Sequence, residues 1–114
     1  MEINKIKVYI ASPYSLGNKL NNVRNSLSVS NELINRGFVP IAPLLFHFQD
    51  MIFPQEYDKW LEICRVLLTT ADCILRLPGE SFGANIEVQD GIKLGLPVFY
   101  SLEELYKHYN LNKL

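Results

Sequence analysis

Glu87 is the residue whose type and position could most directly perform covalent chemistry. It follows a Pro-Gly break and three small residues, Ser81, Gly83 and Ala84, which suit the start of a helix. We expect Glu87 in the first turn of that helix, where backbone amides and the positive end of the helix dipole favour an ionised carboxylate. An ionised carboxylate can act as a nucleophile. Acidic residues in first turns also stabilise helices, so this stretch alone leaves a purely structural role open.

A second polar loop lies near the N-terminus. It places Ser12, Pro13, Tyr14, Ser15 and Gly17 between a predicted strand and a predicted helix. Hydroxyl groups and backbone amides ahead of a helix N-terminus suit a phosphate or a sugar hydroxyl. The same residue types form ordinary capped turns, so a structural turn is the alternative.

Strand patterns alternate with helix patterns along the chain. We predict strands at residues 6–11, 38–43, 72–77 and 97–100, and helices at residues 18–36, 60–71, 84–94 and 102–109. Pro40 restricts the second strand to a sheet edge or a strand end, and Gly37 ends the first helix. The predicted buried face of the first helix carries Leu20, Val23, Leu27 and Ile34.

This alternation predicts an α/β fold, Rossmann-like and flavodoxin-like, with helices on both faces of a mainly parallel sheet of four to five strands. The length of 114 residues suffices for one compact core, so we expect a single domain over residues 1–114. Ligands bind at the carboxyl ends of the strands in such sheets. The two polar loops follow the first and third strands and are therefore expected to form one site.

Residues 44–54, which are rich in aromatic side chains, are expected to form an irregular functional or dimer-facing loop.

Charge balance and missing motifs exclude several classes of function. Eleven Lys and Arg residues against twelve Asp and Glu give a net charge of -1, which favours neither duplex nucleic acid nor an anionic membrane. No apolar run reaches the roughly 20 residues of a bilayer span, and no signal peptide is recognisable, so we expect a cytoplasmic protein. Dinucleotide, ATP-loop and zinc-protease motifs are absent from the sequence, and we expect no cofactor and no metal. Cys64 and Cys73 are expected to be buried thiols.

One ordered series of residues extends over nearly the whole chain. It consists of Tyr9-Ile10-Ala11-Ser12-Pro13-Tyr14, Pro43, His47-Phe48, Asp50, Trp60-Leu61, Asp72, Arg76-Leu77-Pro78-Gly79-Glu80-Ser81, Gly83-Ala84, Glu87 and Pro97-Val98-Phe99-Tyr100-Ser101. From residue 7 to residue 105 the chain resembles the nucleoside 2-deoxyribosyltransferases and the deoxynucleoside monophosphate N-glycosidases, in a branch of small bacterial and phage proteins. The most specific part is the Ser-x-Gly-Ala-x-x-Glu series that ends at Glu87.

The resemblance implies cleavage or deoxyribosyl transfer at the N-glycosidic bond of a deoxynucleoside or its 5′-monophosphate. Glu87 takes the position of the nucleophile and Tyr9 that of the tyrosine which orients it. In such chemistry one carboxylate stabilises the oxocarbenium character of the sugar while another group protonates the leaving base. A homodimer or higher homo-oligomer is also implied, because relatives complete each active site with a neighbouring subunit. The implied substrate-binding residues are Ser12, Pro13, Tyr14, Ser15, Gly17, His47, Asp50, Pro78, Gly79, Ser81, Gly83 and Ala84.

Cys64 departs from the family pattern. Relatives carry an Asp that assists base departure eight residues before the Asp that begins the third strand, and the corresponding residue of this sequence is Cys64. A thiol replaces neither the proton transfer of a carboxyl group nor its two-oxygen contact with a base. Asp50, Asp58 or Glu62 could compensate, although helical spacing points Asp58 and Glu62 in other directions. The loss favours an alternative function, a non-catalytic nucleotide-binding regulatory module, and a structural partner protein is the third hypothesis.

Four other side chains have ready structural explanations. We expect His47 to pack among its aromatic neighbours, with stacking on a base or acid catalysis as alternatives. Arg76 is expected to pair with an acidic group. Trp60 and Tyr57 are expected to be core or dimer contacts.

Overall fold

A four-stranded parallel sheet forms the centre of the structure, a computed structural model that describes residues 2–109. The strands are β1 Lys7–Ala11, β2 Val39–Ile41, β3 Cys73–Arg76 and β4 Val98–Phe99. They lie in the order β2-β1-β3-β4, and every pairing is parallel. The α/β class and the parallel sheet predicted from the sequence are confirmed.

β1 is an inner strand, and its position explains its apolar composition. Tyr9 is paired with Ile41 of β2 on one side and with Ile74 of β3 on the other. The side chains of β1 from Val8 onward are almost completely buried, as expected for a parallel strand that is covered on both faces. β2 pairs only with β1 among the described strands, and this edge position is where a sheet tolerates Pro40.

Five α-helices connect and cover the strands within residues 2–109. They are α1 Lys19–Asn35, α2 Phe46–Ile52, α3 Tyr57–Thr69, α4 Phe82–Lys93 and α5 Leu102–His108. α1, α4 and α5 begin after capping residues, which are Asn18, Ser81 and Ser101. Each of these side chains accepts a hydrogen bond from an amide that the first helical turn leaves unpaired. None of the helices in this part of the chain has the length and apolar character to cross a bilayer.

The helices cover both faces of the sheet. α1 and α5 pack on one face, where Leu33 and Leu105 join the side chains that alternate strand positions direct to that side. α3 and α4 pack on the other face, where Leu68 and Val88 surround Tyr9. The sheet is therefore doubly wound, as the sequence predicts.

The predicted buried face of α1 is partly wrong. Leu20 and Ile34 are 64% and 53% exposed, and Leu27 is only half-buried. The residues of α1 that are buried are Val23, Ser26, Ser30 and Leu33. Two of these four are serines, so hydrophobic spacing alone selects a face that is rotated away from the sheet.

The segment predicted as an irregular aromatic loop is mostly helical. A short 3-10 turn, Pro43–Leu45, leads directly into α2. α2 has seven residues and no side-chain cap at its start. Two helical turns are too short to show a clear apolar period, and an isolated helix of this length is unstable in water. The signals that identify a helix from sequence are therefore missing from this segment.

α4 lies very close to β3 at Gly91. A β-carbon at this position would overlap the Cδ1 atom of Ile74, a side chain that is itself fully buried. The packed interior leaves no room for a larger residue than glycine there. This close approach holds α4, and with it Glu87, against the sheet.

Candidate active site

A cavity of about 390 Å³ opens where β1 and β3 end. Its walls come from the end of β1 and the loop that follows, from the 3-10 turn, α2 and α3, and from the first three turns of α4. A concave, mainly apolar site with a few polar groups is typical of small-molecule binding. The residues predicted from the sequence that line the cavity are Ser12, Tyr14, Ser15, His47, Asp50, Cys64, Ser81, Gly83 and Glu87.

Five residues predicted to bind substrate do not line the cavity. Pro13 packs on Gly79, because a β-carbon added to Gly79 would lie 3.0 Å from Cγ of Pro13. Pro13 and Pro78 instead border a second, smaller pocket next to α1. Ala84 belongs to the first turn of α4 and is buried in the core, and Gly17 lies in an exposed bend. None of these five residues lines the cavity.

Tyr9 and Glu87 form a directly bonded pair, called the Tyr9–Glu87 pair below. The hydroxyl group of Tyr9 donates a short hydrogen bond to Oε2 of Glu87, although the residues are 78 positions apart in the sequence. Tyr9 is fully buried and does not line the cavity, whereas Glu87 does. The alternation of side chains along β1 directs Tyr9 to the face that α3 and α4 cover.

The electrostatic environment of Glu87 differs from the one predicted. Ser81 is the N-cap of α4, so Glu87 lies in the second turn, and the first turn contains no acidic residue. Burial raises the pKa of Glu87 to about 7, against smaller opposing effects from the Tyr9 hydrogen bond and from Arg76. The predicted position of Glu87 in the first turn is therefore wrong, and burial opposes the ionised form that the helix dipole was expected to favour. Dipole effects fade beyond the first turn, whereas desolvation acts on every buried carboxylate.

Cys64 lies on the cavity side of α3. It is half-buried rather than the fully buried thiol predicted, whereas Cys73 is fully buried as expected. Burial, followed by the nearby Glu87, raises the pKa of the Cys64 thiol to about 11. A thiol with this pKa stays protonated at neutral pH and is a weak proton donor. Asp58 and Glu62, which the sequence suggested as substitutes, are exposed residues that do not line the cavity.

A second polar group, called the Tyr14–His47–Asp50 cluster below, lines another part of the wall. The Tyr14 hydroxyl and Nδ1 of His47 are 2.6 Å apart. Asp50 follows His47 by one turn of α2, and its Oδ1 accepts hydrogen bonds from Nε1 of Trp60 at 2.7 Å and from the Gln55 amide at 2.9 Å. His47 therefore has a specific polar partner in addition to the aromatic contact with Phe48.

Within residues 2–109, Arg76 does not make the predicted pair with an acidic group. Its guanidinium donates hydrogen bonds to the carbonyl oxygens of Leu77 and Gly79, and to Oδ1 of Asn85 at a distance of 3.0 Å. These bonds fix the turn between β3 and α4. The planar guanidinium is suited to bind several carbonyl oxygens at once, and that turn offers three acceptors.

Three aromatic residues line the cavity without having been predicted there, and they are Trp60, Phe82 and Tyr57. Trp60 is neither core nor exposed: it lines the cavity, stacks on Phe46 at a ring distance of 4.9 Å and positions Asp50. Phe82 lies at the rim of the cavity and is 80% exposed. Tyr57, also expected in the core or at a dimer contact, is exposed at the same rim. Single aromatic residues carry no sequence signal that distinguishes a cavity rim from a core position.

A solved structure supports the fold. A 2-deoxyribosyltransferase from the psychrotolerant bacterium Bacillus psychrosaccharolyticus is similar to this chain with a TM-score of 0.57 and 19% sequence identity. The two proteins share a fold. The similarity covers 81% of this chain and 69% of the transferase. No protein-family model matches the sequence, and no curated protein matches it. At the level of fold, the resemblance to the 2-deoxyribosyltransferases is confirmed.

Proposed function

We propose that this chain cleaves the N-glycosidic bond of a deoxynucleoside or its 5′-monophosphate, or transfers the deoxyribosyl group to another base, with Glu87 as the nucleophile. The observation that carries the proposal is the Tyr9–Glu87 pair at a cavity beside the carboxyl ends of parallel strands. A carboxyl group that lies in a cleft, with a pKa raised by burial and a specific hydrogen-bond partner, is a candidate for a functional site. The shared fold with a 2-deoxyribosyltransferase supports the same proposal.

The chemistry follows from the position of Glu87. The ionised carboxylate attacks the anomeric carbon as the bond to the base breaks, and a glycosyl ester forms. The Tyr9 hydroxyl donates to one carboxylate oxygen, Oε2, and leaves the other oxygen free to attack. Water or a second base then attacks the anomeric carbon and releases the carboxylate of Glu87. Tyr9 is thus a positioning residue, and Glu87 is the catalytic one.

The 5′-phosphate is proposed to bind at the start of α4. The Ser81 hydroxyl accepts a hydrogen bond from the Ala84 amide at 3.0 Å, which leaves other first-turn amides for a ligand. Gly83 lets a ligand approach the backbone closely, and both Ser81 and Gly83 line the cavity. A helix N-terminus favours an anionic group. Titration calorimetry should therefore show tighter binding of a deoxynucleoside 5′-monophosphate than of the nucleoside, and equal affinities would contradict a phosphate site there.

We also propose that the chain is a homodimer joined through the segment around α2. Five large apolar side chains in and beside this short helix are between 44% and 71% exposed, and they are Leu45, Phe48, Met51, Ile52 and Phe53. Exposed apolar groups in one short segment indicate a contact surface. Sedimentation should give a dimer for the wild type and a monomer for Ile52→Glu, whereas a monomeric wild type would contradict the proposal.

A nucleotide-binding module without turnover is the second candidate function. The observation that favours it is Cys64, because a weakly acidic thiol occupies the position of the family carboxyl group. Binding and turnover are separated by one experiment. Glu87→Gln should retain nucleotide affinity but lose base release by at least about a hundredfold, because an amide cannot form the glycosyl ester.

Chromatography of the released base provides the measurement. Glu103→Gln, an exposed glutamate in the first turn of α5, is the matched control and should keep wild-type activity. Equal base release by Glu87→Gln and the wild type would refute the nucleophile. Nucleotide binding without base release by the wild type would support the binding module instead.

A further inference from the structure

The proposed reaction needs a proton donor for the leaving base, and Cys64 is a poor one. The same cavity contains an imidazole that is held in place by a phenol. Nδ1 of His47 lies 2.6 Å from the Tyr14 hydroxyl, while Nε2 has no hydrogen-bond partner among residues 2–109. Both side chains are half-buried and line the cavity together with Glu87. His47 is thus fixed at one ring nitrogen and free at the other.

Two charged residues, Asp50 and Lys19, lie near the contact between Tyr14 and His47. Asp50 lies one helical turn away, and hydrogen bonds from the Gln55 amide and then from Trp60 hold the pKa of its carboxyl group below the usual range. Asp50 is therefore a stable negative charge beside the imidazole. The nearby cation is Lys19, whose Nζ lies 5.2 Å from the centre of the Tyr14 ring and so interacts with the phenol face.

Two further charged residues, Arg65 and Asp90, line the cavity. Arg65 and Asp90 form an ion pair with each other at 3.2 Å. Burial, followed by Asp50, raises the pKa of Tyr14 above its usual value, so the phenol stays neutral. A neutral Tyr14 oxygen can accept the Nδ1 proton of an imidazolium.

We propose that His47 is the general acid that protonates the departing base, and that Tyr14 is the residue that positions it. This assignment rests on the proposed glycosidic reaction at Glu87. Cys64 of α3 has no carboxyl group, so the proton comes instead from His47 of α2. An imidazole can give up and regain a proton near neutral pH, as a general acid must.

The proton balance closes over two steps. In the first step the imidazolium donates its Nε2 proton to the base nitrogen as the bond to the anomeric carbon breaks, and Glu87 forms the ester. His47 is then neutral, and its Nδ1 proton remains bonded to the Tyr14 oxygen. In the second step Nε2 takes a proton from the attacking water, the ester bond to Glu87 breaks, and the deoxyribose leaves with the water oxygen. Both residues return to their starting states.

The test uses two substrates that differ in their need for a proton. A natural purine deoxynucleoside 5′-monophosphate requires protonation of the base, whereas its N7-methylated counterpart carries a positive base that leaves without it. His47→Gln should reduce base release from the natural substrate by about a hundredfold to ten-thousandfold, the usual size of a general-acid contribution. Release from the N7-methylated substrate should change by less than about tenfold. The sequence contains one other histidine, His108, so His108→Gln is the matched control.

Tyr14→Phe separates positioning from packing. The variant keeps the ring but loses the oxygen that bonds Nδ1, so the falling limb of the pH-rate profile on the natural substrate should shift. A purely structural Tyr14 would lower activity on both substrates equally and leave that limb unchanged.

The outcomes distinguish this assignment from the function on which it rests. Equal losses on both substrates in His47→Gln, or no loss on either, would overturn the role of His47 and leave the reaction at Glu87 standing. A wild type that releases no base from either substrate would overturn the glycosidic reaction and the assignment together. If His47→Gln does not fold, the wild-type profiles decide: activity on the natural substrate should fall above neutral pH, and activity on the N7-methylated substrate should not. Identical profiles would refute the assignment.

Discussion

The Tyr9–Glu87 pair and the Tyr14–His47–Asp50 cluster face one cavity but are supported by different kinds of structure. The pair lies on an inner strand and on a 12-residue helix packed against the sheet. The cluster lies on a loop and on a seven-residue helix with several exposed apolar side chains. The position of the proposed nucleophile is thus fixed by core packing. The position of the proposed acid depends on a few aromatic and polar contacts, so the two should respond differently to mutation.

The largest expected effect concerns the coupling of Glu87 to the stability of the core. Burial raises its folded pKa to about 7 from the ordinary value of 4.5. Between these two pH values the folded protein binds more protons than the unfolded chain, so the free energy of unfolding should fall as pH rises through this window. The difference in pKa corresponds to about 3 kcal/mol.

Urea unfolding at pH 5 and pH 8 measures this effect. Glu87→Gln has no proton to lose and should remove most of the decline, whereas the control Glu103→Gln should behave as the wild type does. His47→Gln should also leave the decline in place, because the cluster lies outside the core. An equal decline in Glu87→Gln and the wild type would show that Glu87 is not the group responsible.

A smaller effect is expected from Tyr9→Phe, which removes the hydrogen bond to Glu87 and retains the buried ring. A hydrogen bond to a charged group corresponds to roughly a tenfold to hundredfold effect, and we expect a loss of kcat in that range with little change in KM. Because Tyr9 lowers the pKa of Glu87, the rising limb of the pH-rate profile should shift to higher pH. Tyr100→Phe, at an exposed tyrosine, is the control. A change in KM alone would indicate that Tyr9 acts on substrate binding.

The smallest expected effect is a rescue across the cavity. Position 64 lies on the cavity side of α3, so Cys64→Asp places a carboxyl group in the cavity wall. In the His47→Gln background this change should increase base release from the natural substrate by about tenfold or more, because it supplies a second proton donor. The same change in the wild type should have less effect, since His47 already provides the proton. An increase of the same size in both backgrounds would mean that the two positions act independently.

The order of the four strands and of α1, α3, α4 and α5 could be predicted because the period of apolar residues changes clearly between them, whereas α2 is too short to show such a period. The orientation of α1 was not predictable, because buried Ser26 and Ser30 contribute to the face that packs on the sheet. Hydrophobic spacing identifies apolar residues, whereas close packing also selects small ones.

Several of the residues that line the cavity could be predicted from the sequence, but their geometry could not. The Ser-x-Gly-Ala-x-x-Glu series drew attention to Glu87, whereas the raised pKa of its carboxyl group depends on burial between α3, α4 and the sheet. Tyr14 and His47 are 33 residues apart, and no local pattern predicts that they bond. Contacts between distant segments depend on how the short elements pack, and sequence periodicity carries no information about that.

The most direct test of the central claim is to detect the glycosyl ester on Glu87. A deoxynucleotide with fluorine at C2′ slows hydrolysis of such an ester, so the protein can be incubated with it, quenched in acid, digested and analysed by mass spectrometry. We expect the peptide containing Glu87 to gain the mass of one fluorinated sugar phosphate, and the same peptide of Glu87→Gln to gain none. Base release from that nucleotide with every peptide unmodified, or with the added mass on another residue, would contradict the assignment of Glu87 as the nucleophile.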